Sequence, residues 1–252
     1  MTERKIEDNL DQLNKLEKFD RGVFVGDSEY SQEFCNFFLA LAMIWNDHKT
    51  LMLFWDHMAT IIPENSDFDK PQDMPEEPIW GERSGIKVYL EKSLVALVFE
   101  FFKTVQKSKS VVDSPAFEAL LKKMLPKYRS EWKQLVQYAI EGTTKNSLLG
   151  KALSKTRSKI VNHYDMGELK KGYTRKFFEQ SFTPYISQGN SMSKTRFYFA
   201  DAAAQEYYHS QIEGIGQEKF FSDLNTIWFS MNSCISGLIR VFIRTKAKNV
   251  KS

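Results

Sequence analysis

Two cysteines, seven prolines and twelve glycines are all that occur among 252 residues, and each scarcity closes off a class of protein. Cys35 and Cys234 lie in separate apolar runs. They read as reduced core thiols rather than a disulfide. Few prolines and glycines leave room for long helices. Unbroken apolar runs are missing too. The stretch from Phe34 to Ile62 is interrupted by Asn46-Asp47-His48-Lys49, and the stretch from Ile227 to Ile243 carries Asn232 and Arg240. Neither supplies the roughly 20 consecutive apolar residues of a membrane span. The opening Met1-Thr-Glu-Arg-Lys-Ile-Glu-Asp has no apolar signal region. The expectation is a cytoplasmic protein without a membrane contact. Phosphate-cradling glycine loops, Gly-x-Ser-x-Gly elbows and His-Glu-x-x-His pairs are also missing. No cofactor and no metal are therefore expected.

What the chain does have is helical periodicity. Leu90, Leu94, Leu97, Val98, Phe101, Phe102 and Val105 follow the i, i+4, i+7, i+8 series, which predicts a helix from about Ser84 to Lys107. Ser28 or Ser31 is placed to cap a long helix, or a broken pair, from near Glu29 to Ile62. Ser114-Pro115 starts a short helix to Leu125, and Pro126 opens another through Ile140. Further helices are predicted over residues 2–20, 145–164, 194–212 (capped by Ser193) and 217–245. Gly167 and Gly172 read as loosening the chain, and 173–190 as a short helix to Gln180 followed by a loop. Four prolines between Pro63 and Pro78 mark an acidic loop over about 63–83. No segment alternates cleanly with period two. The fold class expected is all-α, a multi-helix bundle in one domain over 1–252, with flexible ends at about 1–5 and 246–252.

The net charge is only +3, but the charges are segregated. Residues 145–176 hold nine Lys/Arg and two acidic residues, whereas 63–82 hold seven acidic residues and one Lys. Clustered Lys and Arg are the usual footprint of a polyanion. Within the basic stretch, Arg157 and His163 share a helix. At about 100° per residue, Leu149, Leu153, Ile160 and Tyr164 form one apolar stripe, which Arg157 and His163 flank on opposite sides. An Arg with five fixed donors and a side chain that titrates near neutrality suit phosphodiester chemistry. The same two residues also suit the rim of a helix interface, paired with carboxylates.

The run Arg157-Ser-Lys-Ile-Val-Asn-His163-Tyr-Asp resembles the signature of the HEPN superfamily, an Arg and a His separated by four to six residues. It is most similar to bacterial abortive-infection-type members with an Arg-x-Lys-ϕ-x-x-His-Tyr-Asp run, and Arg196-Phe-Tyr-Phe-Ala-Asp201-Ala resembles them as well. The resemblance implies a HEPN-like helical bundle, a homodimer, and a place in toxin–antitoxin or anti-phage systems with a possible antitoxin protein as partner. It also implies metal-independent cleavage of RNA. Arg157 and His163 are then the catalytic pair, and Lys155, Lys159, Asn162, Lys170, Lys171 and Arg175 are the RNA contacts. Where the family commonly has Asn, Asp or His after the Arg, this chain has Ser158, which favours a member that binds RNA or protein without cutting.

Other patterns point more weakly to chemistry. Glu206-Tyr-Tyr-His209 has the Glu-x-x-His step of di-iron bundles, but no second step accompanies it. His48 and His57 each follow an Asp and sit on opposite sides of a helix, so they read as polar interruptions in a buried helix. The aromatic residues around 173–178 and 197–208 suit either core packing or base stacking.

Overall fold

The apolar face of each long helical segment finds its partner on the next. A computed structural model describes residues 17–61, 79–144, 147–157, 165–191 and 194–250. Helix makes up 80% of it. The α-helices are α1 (Gln32–Ile61), α2 (Ile79–Lys107), α3 (Lys109–Val112), α4 (Pro115–Lys122), α5 (Pro126–Thr143), α6 (Leu148–Thr156), α7 (Met166–Thr174), α8 (Tyr198–Ile212) and α9 (Gln217–Val250). The four long ones close a ring: α1 packs on α2, α2 on α5, α5 on α9 and α9 back on α1. α6 and α8 form a second layer against α2, and α7 rests on α8. The fold is an all-α multi-helix bundle.

Local chemistry sets the helix starts. The Ser31 hydroxyl accepts the Phe34 N–H at 3.2 Å, and Ser114 accepts the Phe117 N–H at 3.2 Å with Pro115 as the first helical residue. Ser147 accepts the Gly150 N–H at 2.8 Å. Each hydroxyl satisfies one of the amide donors that a helix start leaves without a partner. Between α8 and α9, Gly216 adopts φ +87° and returns its N–H to Ile212, a left-handed conformation open to glycine at no steric cost.

The core is aromatic. Phe38 of α1 stacks on Phe242 of α9 with ring centroids 4.1 Å apart, and Phe34, Phe37 and Phe117 pack around them. Trp132 of α5 joins this group to Phe101 of α2. Cys35 and Cys234 are buried free thiols. α9 is long and apolar enough to cross a membrane by length and composition. In this fold Phe220, Leu224, Ile227, Met231, Ile235, Leu238 and Phe242 of that helix are buried in the core.

Several boundaries differ from expectation. α2 starts at Ile79, upstream of Ser84, so residues 79–83 of the expected acidic loop are helical, and the rest of that loop lies outside the described residues. Residues 1–16 lie outside them as well, and the chain from Arg21 to Phe24 is a 3-10 turn. α9 runs past Thr245 to Val250, because Lys246 is buried and its ammonium meets the Val25 carbonyl, Asp27 and Cys35. α7 was not expected. The Asp165 carboxylate accepts the N–H groups of Gly167 at 3.1 Å and Glu168 at 3.2 Å, and this cap starts a helix through the two glycines. A short antiparallel pair follows, β1 (Ser187–Gln188) with β2 (Thr195–Arg196), in register Ser187↔Arg196. It occupies residues expected to begin the 194–212 helix, which starts instead at Tyr198; its expected cap, Ser193, lies outside the described residues.

Candidate functional site

α6 is described up to the start of the expected catalytic pair. Leu149, Ala152 and Leu153 bury its apolar face, which packs on α2, α5 and α8. Arg157, the last described residue of this segment and still helical in backbone, meets α2. Its Nη2 lies 2.7 Å from Oε1 of Glu100, and its guanidinium sits over the Phe99 ring at 5.8 Å. The two side chains are 33% and 48% exposed, so this ion pair is worth at most about 1 kcal/mol. His163, Lys159 and Asn162 lie outside the described residues.

Three of the expected RNA contacts do converge. Lys155 of α6, Lys171 of α7 and Arg175, which follows α7, line an open cleft of about 410 Å³. Lys170 is exposed on the same helix as Lys171. The cleft is not purely cationic, however: Glu168, Glu179 and Glu206 line it too. Arg175 Nε is 2.9 Å from buried Glu206, and its Nη2 meets Glu213. The hydrogen bond to Glu213 is the main cause that raises the guanidinium pKa still further. Lys171 is 3.2 Å from Glu168. Gln180 donates to Glu206 at 2.9 Å. Arg175 therefore acts as a brace between two carboxylates, and Lys155, Lys170 and Lys171 are the cations that face solvent here.

The carboxylates were not legible as site residues. Glu206 and Glu213 sit more than 30 positions after Arg175, and only the packing of α7 on α8 brings them to it. The Glu206-x-x-His209 step splits between two cavities. Glu206 faces Arg175, whereas His209 lines a larger cavity beside Tyr208. Among the described residues, no three His, Cys, Asp or Glu side chains gather as a metal site.

His48 is fully buried on α1, with Nε2 2.9 Å from the Trp228 carbonyl oxygen. Because a carbonyl only accepts, Nε2 carries the proton. Burial lowers the His48 pKa to about 4, against a smaller upward pull from that carbonyl. Burial also lowers His209 to about 4, helped by Lys176, Lys87 and Arg175. Both folded values lie below the ordinary 6.5, so the unfolded chain binds more protons between pH 6.5 and 4. The stability these residues contribute is complete above pH 6.5 and is lost as the pH falls toward 4. Urea unfolding at pH 7.5, 5.5 and 4.5 should show a loss of about 1–3 kcal/mol per histidine. His48→Gln should flatten the dependence, and an unchanged slope in that variant would place the effect elsewhere.

No family model, curated protein or solved structure matches this chain.

Proposed function

We propose that this chain is a HEPN-like helical module that binds RNA without cutting it. The observation that carries this reading is the placement of Arg157. Cleavage by attack of the 2′-OH gains from positive charge on the phosphoryl oxygens, the role the resemblance gives Arg157, whereas Arg157 is engaged by Glu100 and Phe99 on α2. RNA contact falls to the exposed ammonium groups of Lys155, Lys170 and Lys171, which serve as phosphate contacts. Neighbouring carboxylates keep the number of neutralised phosphates small. Such a module acts inside the cell, and the resemblance to abortive-infection proteins implies an antitoxin protein as partner.

Binding of single-stranded RNA should weaken with salt with a log–log slope of about −2, the value for three released counterions at about −0.7 each. Lys155→Gln and Lys171→Gln should each make the slope shallower by about 0.7. Arg157→Ala and His163→Ala should leave binding unchanged, and labelled RNA should stay intact. Salt-independent binding, or none, would defeat this reading.

A second reading, the metal-independent ribonuclease, is favoured by one observation. The Arg157–Glu100 pair is open to solvent, so exchanging the carboxylate for a phosphate is inexpensive. In that reading a homodimer pairs the 145–164 segments of two copies and sets two Arg–His pairs in one cleft, since one His cannot readily serve both proton roles. Cleavage would then resist EDTA and leave 2′,3′-cyclic phosphate ends. Arg157→Ala and His163→Ala would each slow it about 10²-fold or more.

A further inference from the structure

A cavity of about 700 Å³ opens between α1, α2, α8 and α9, separate from the α6–α7 cleft. That volume suits a drug-sized molecule. Leu90, Glu91, Tyr208 and Leu224 form its floor, and each is at least nine-tenths buried. Trp55, Asp56, Glu218 and Phe229 form an exposed rim. Phe221 and Trp228 line the wall between, with Lys87 and His209.

Two observations give this cavity a ligand. The first is Tyr208, 2% exposed, whose hydroxyl has no hydrogen-bond partner in the protein. Buried hydroxyls are almost always bonded, because an unsatisfied one forfeits its hydration. Burial, reinforced by the charge of Glu91, keeps that hydroxyl protonated. The second is the balance of charge. Among the described residues that line it, Asp56, Glu91 and Glu218 bring three carboxylates against one ammonium, Lys87, with Lys176 and Arg175 further off beyond His209, which stays neutral at pH 7. Four aromatic rings of the lining, Trp55, Phe221, Trp228 and Phe229, add the electron-rich faces that attract cations. A carboxylate has about four acceptor positions, so Glu91 can take a ligand donor beside any partner it already has.

We propose that this cavity binds an organic monocation, an ammonium group carried on a flat apolar body. The ammonium sits at the floor, donating to Glu91 and to the hydroxyl oxygen of Tyr208. The body lies against Phe221 and Trp228, and the rim carboxylates draw the cation in. This assignment goes beyond RNA binding and does not rest on it.

The probe is 1-naphthylmethylammonium, titrated into the full chain and followed by tryptophan fluorescence, with 1-naphthylmethanol and 1-naphthoate as neutral and anionic counterparts. The ammonium should bind saturably at one site, about tenfold or more tighter than the alcohol, with the naphthoate weakest. Glu91→Gln should weaken the ammonium by about fivefold or more and leave the alcohol unchanged, whereas Tyr208→Phe should weaken both. Asp56→Asn with Glu218→Gln alters only exposed side chains and so spares the fold; it should weaken the ammonium by about twofold or more. Naphthoate binding as tightly as the ammonium would overturn the assignment and give the cavity to Lys87. Absence of saturable binding by any probe up to about 10 mM would overturn it as well.

Discussion

Phe242→Ala is expected to lower the unfolding free energy by about 3–5 kcal/mol, the range for deleting a fully buried phenyl group. Phe242 has no exposed surface. Its ring stacks on Phe38 at 4.1 Å and touches Phe24, Tyr30 and Phe34 at centroid distances of 5.7, 5.7 and 5.9 Å. These neighbours come from the 3-10 turn, the segment after it and α1, and they are fixed by their own packing. The hole would therefore collapse poorly, which places the loss toward the upper end of the range. Phe229 on the same helix is 66% exposed, so Phe229→Ala should stay within about 0.5 kcal/mol of wild type. Urea unfolding of the two variants decides the matter. Equal midpoints would mean that the aromatic cluster is not where the stability resides.

Gly172→Ala is expected to detach α7 from α8. A Cβ at this position would lie 2.0 Å from the carbonyl oxygen of Ala203 and 3.1 Å from the amide nitrogen of Tyr207. Both are backbone atoms of a packed helix and cannot rotate away. Overpacking of this kind costs about 1–3 kcal/mol or more, which outweighs the roughly 1 kcal/mol gained by replacing a helical glycine with alanine. α7 contacts little besides α8 and the turn that follows it, so the damage should stay local. Amide exchange should lose protection over residues 166–174 while α1, α2, α5 and α9 keep theirs. RNA binding should fall with it, because Lys170 and Lys171 ride on α7. At Gly167 the nearest atom to an added Cβ is Asp165 Oδ1 at 3.4 Å, and Gly167→Ala should be neutral or slightly stabilising. Identical exchange patterns in the two variants would remove the steric account of Gly172.

Periodicity made the large helices legible. Leu90, Leu97, Val98, Phe101, Phe102 and Val105 were placed on one face by spacing alone, and all six are buried. Of Ser28 and Ser31, the two candidate caps, Ser31 starts α1, and Ser114-Pro115 and Pro126 mark helix starts too, because capping and proline chemistry at a helix start are local. α7 is not legible in the sequence, because a glycine that breaks a helix and a glycine that lets two helices touch look alike there. The short β pair escaped notice because two residues cannot display a period. The candidate site was legible only as charge. Lys155, Lys171 and Arg175 were expected to act together, and they share a cleft. The carboxylates that offset them arrive from α8, and no rule of spacing along the chain connects them. The larger cavity draws Trp55, Glu91, Tyr208 and Trp228 from four helices, a juxtaposition made by tertiary packing.

The contact of α1 with α9 has a consequence for how the protein is made. Cys35 and Lys246 meet across 211 positions of sequence. At ribosomal speeds of about 5–20 residues per second, that separation holds α1 waiting for roughly 10–40 s before its partner is synthesised. During the wait α2 covers one side of α1, while Phe34 and Phe38 have no Phe242 to stack on. The aromatic stripe that later becomes the core is thus, in the nascent chain, a sticky surface suited to a chaperone. Codon choice within the α9 coding segment, by lengthening or shortening the wait, should alter the yield of soluble protein without changing a single residue.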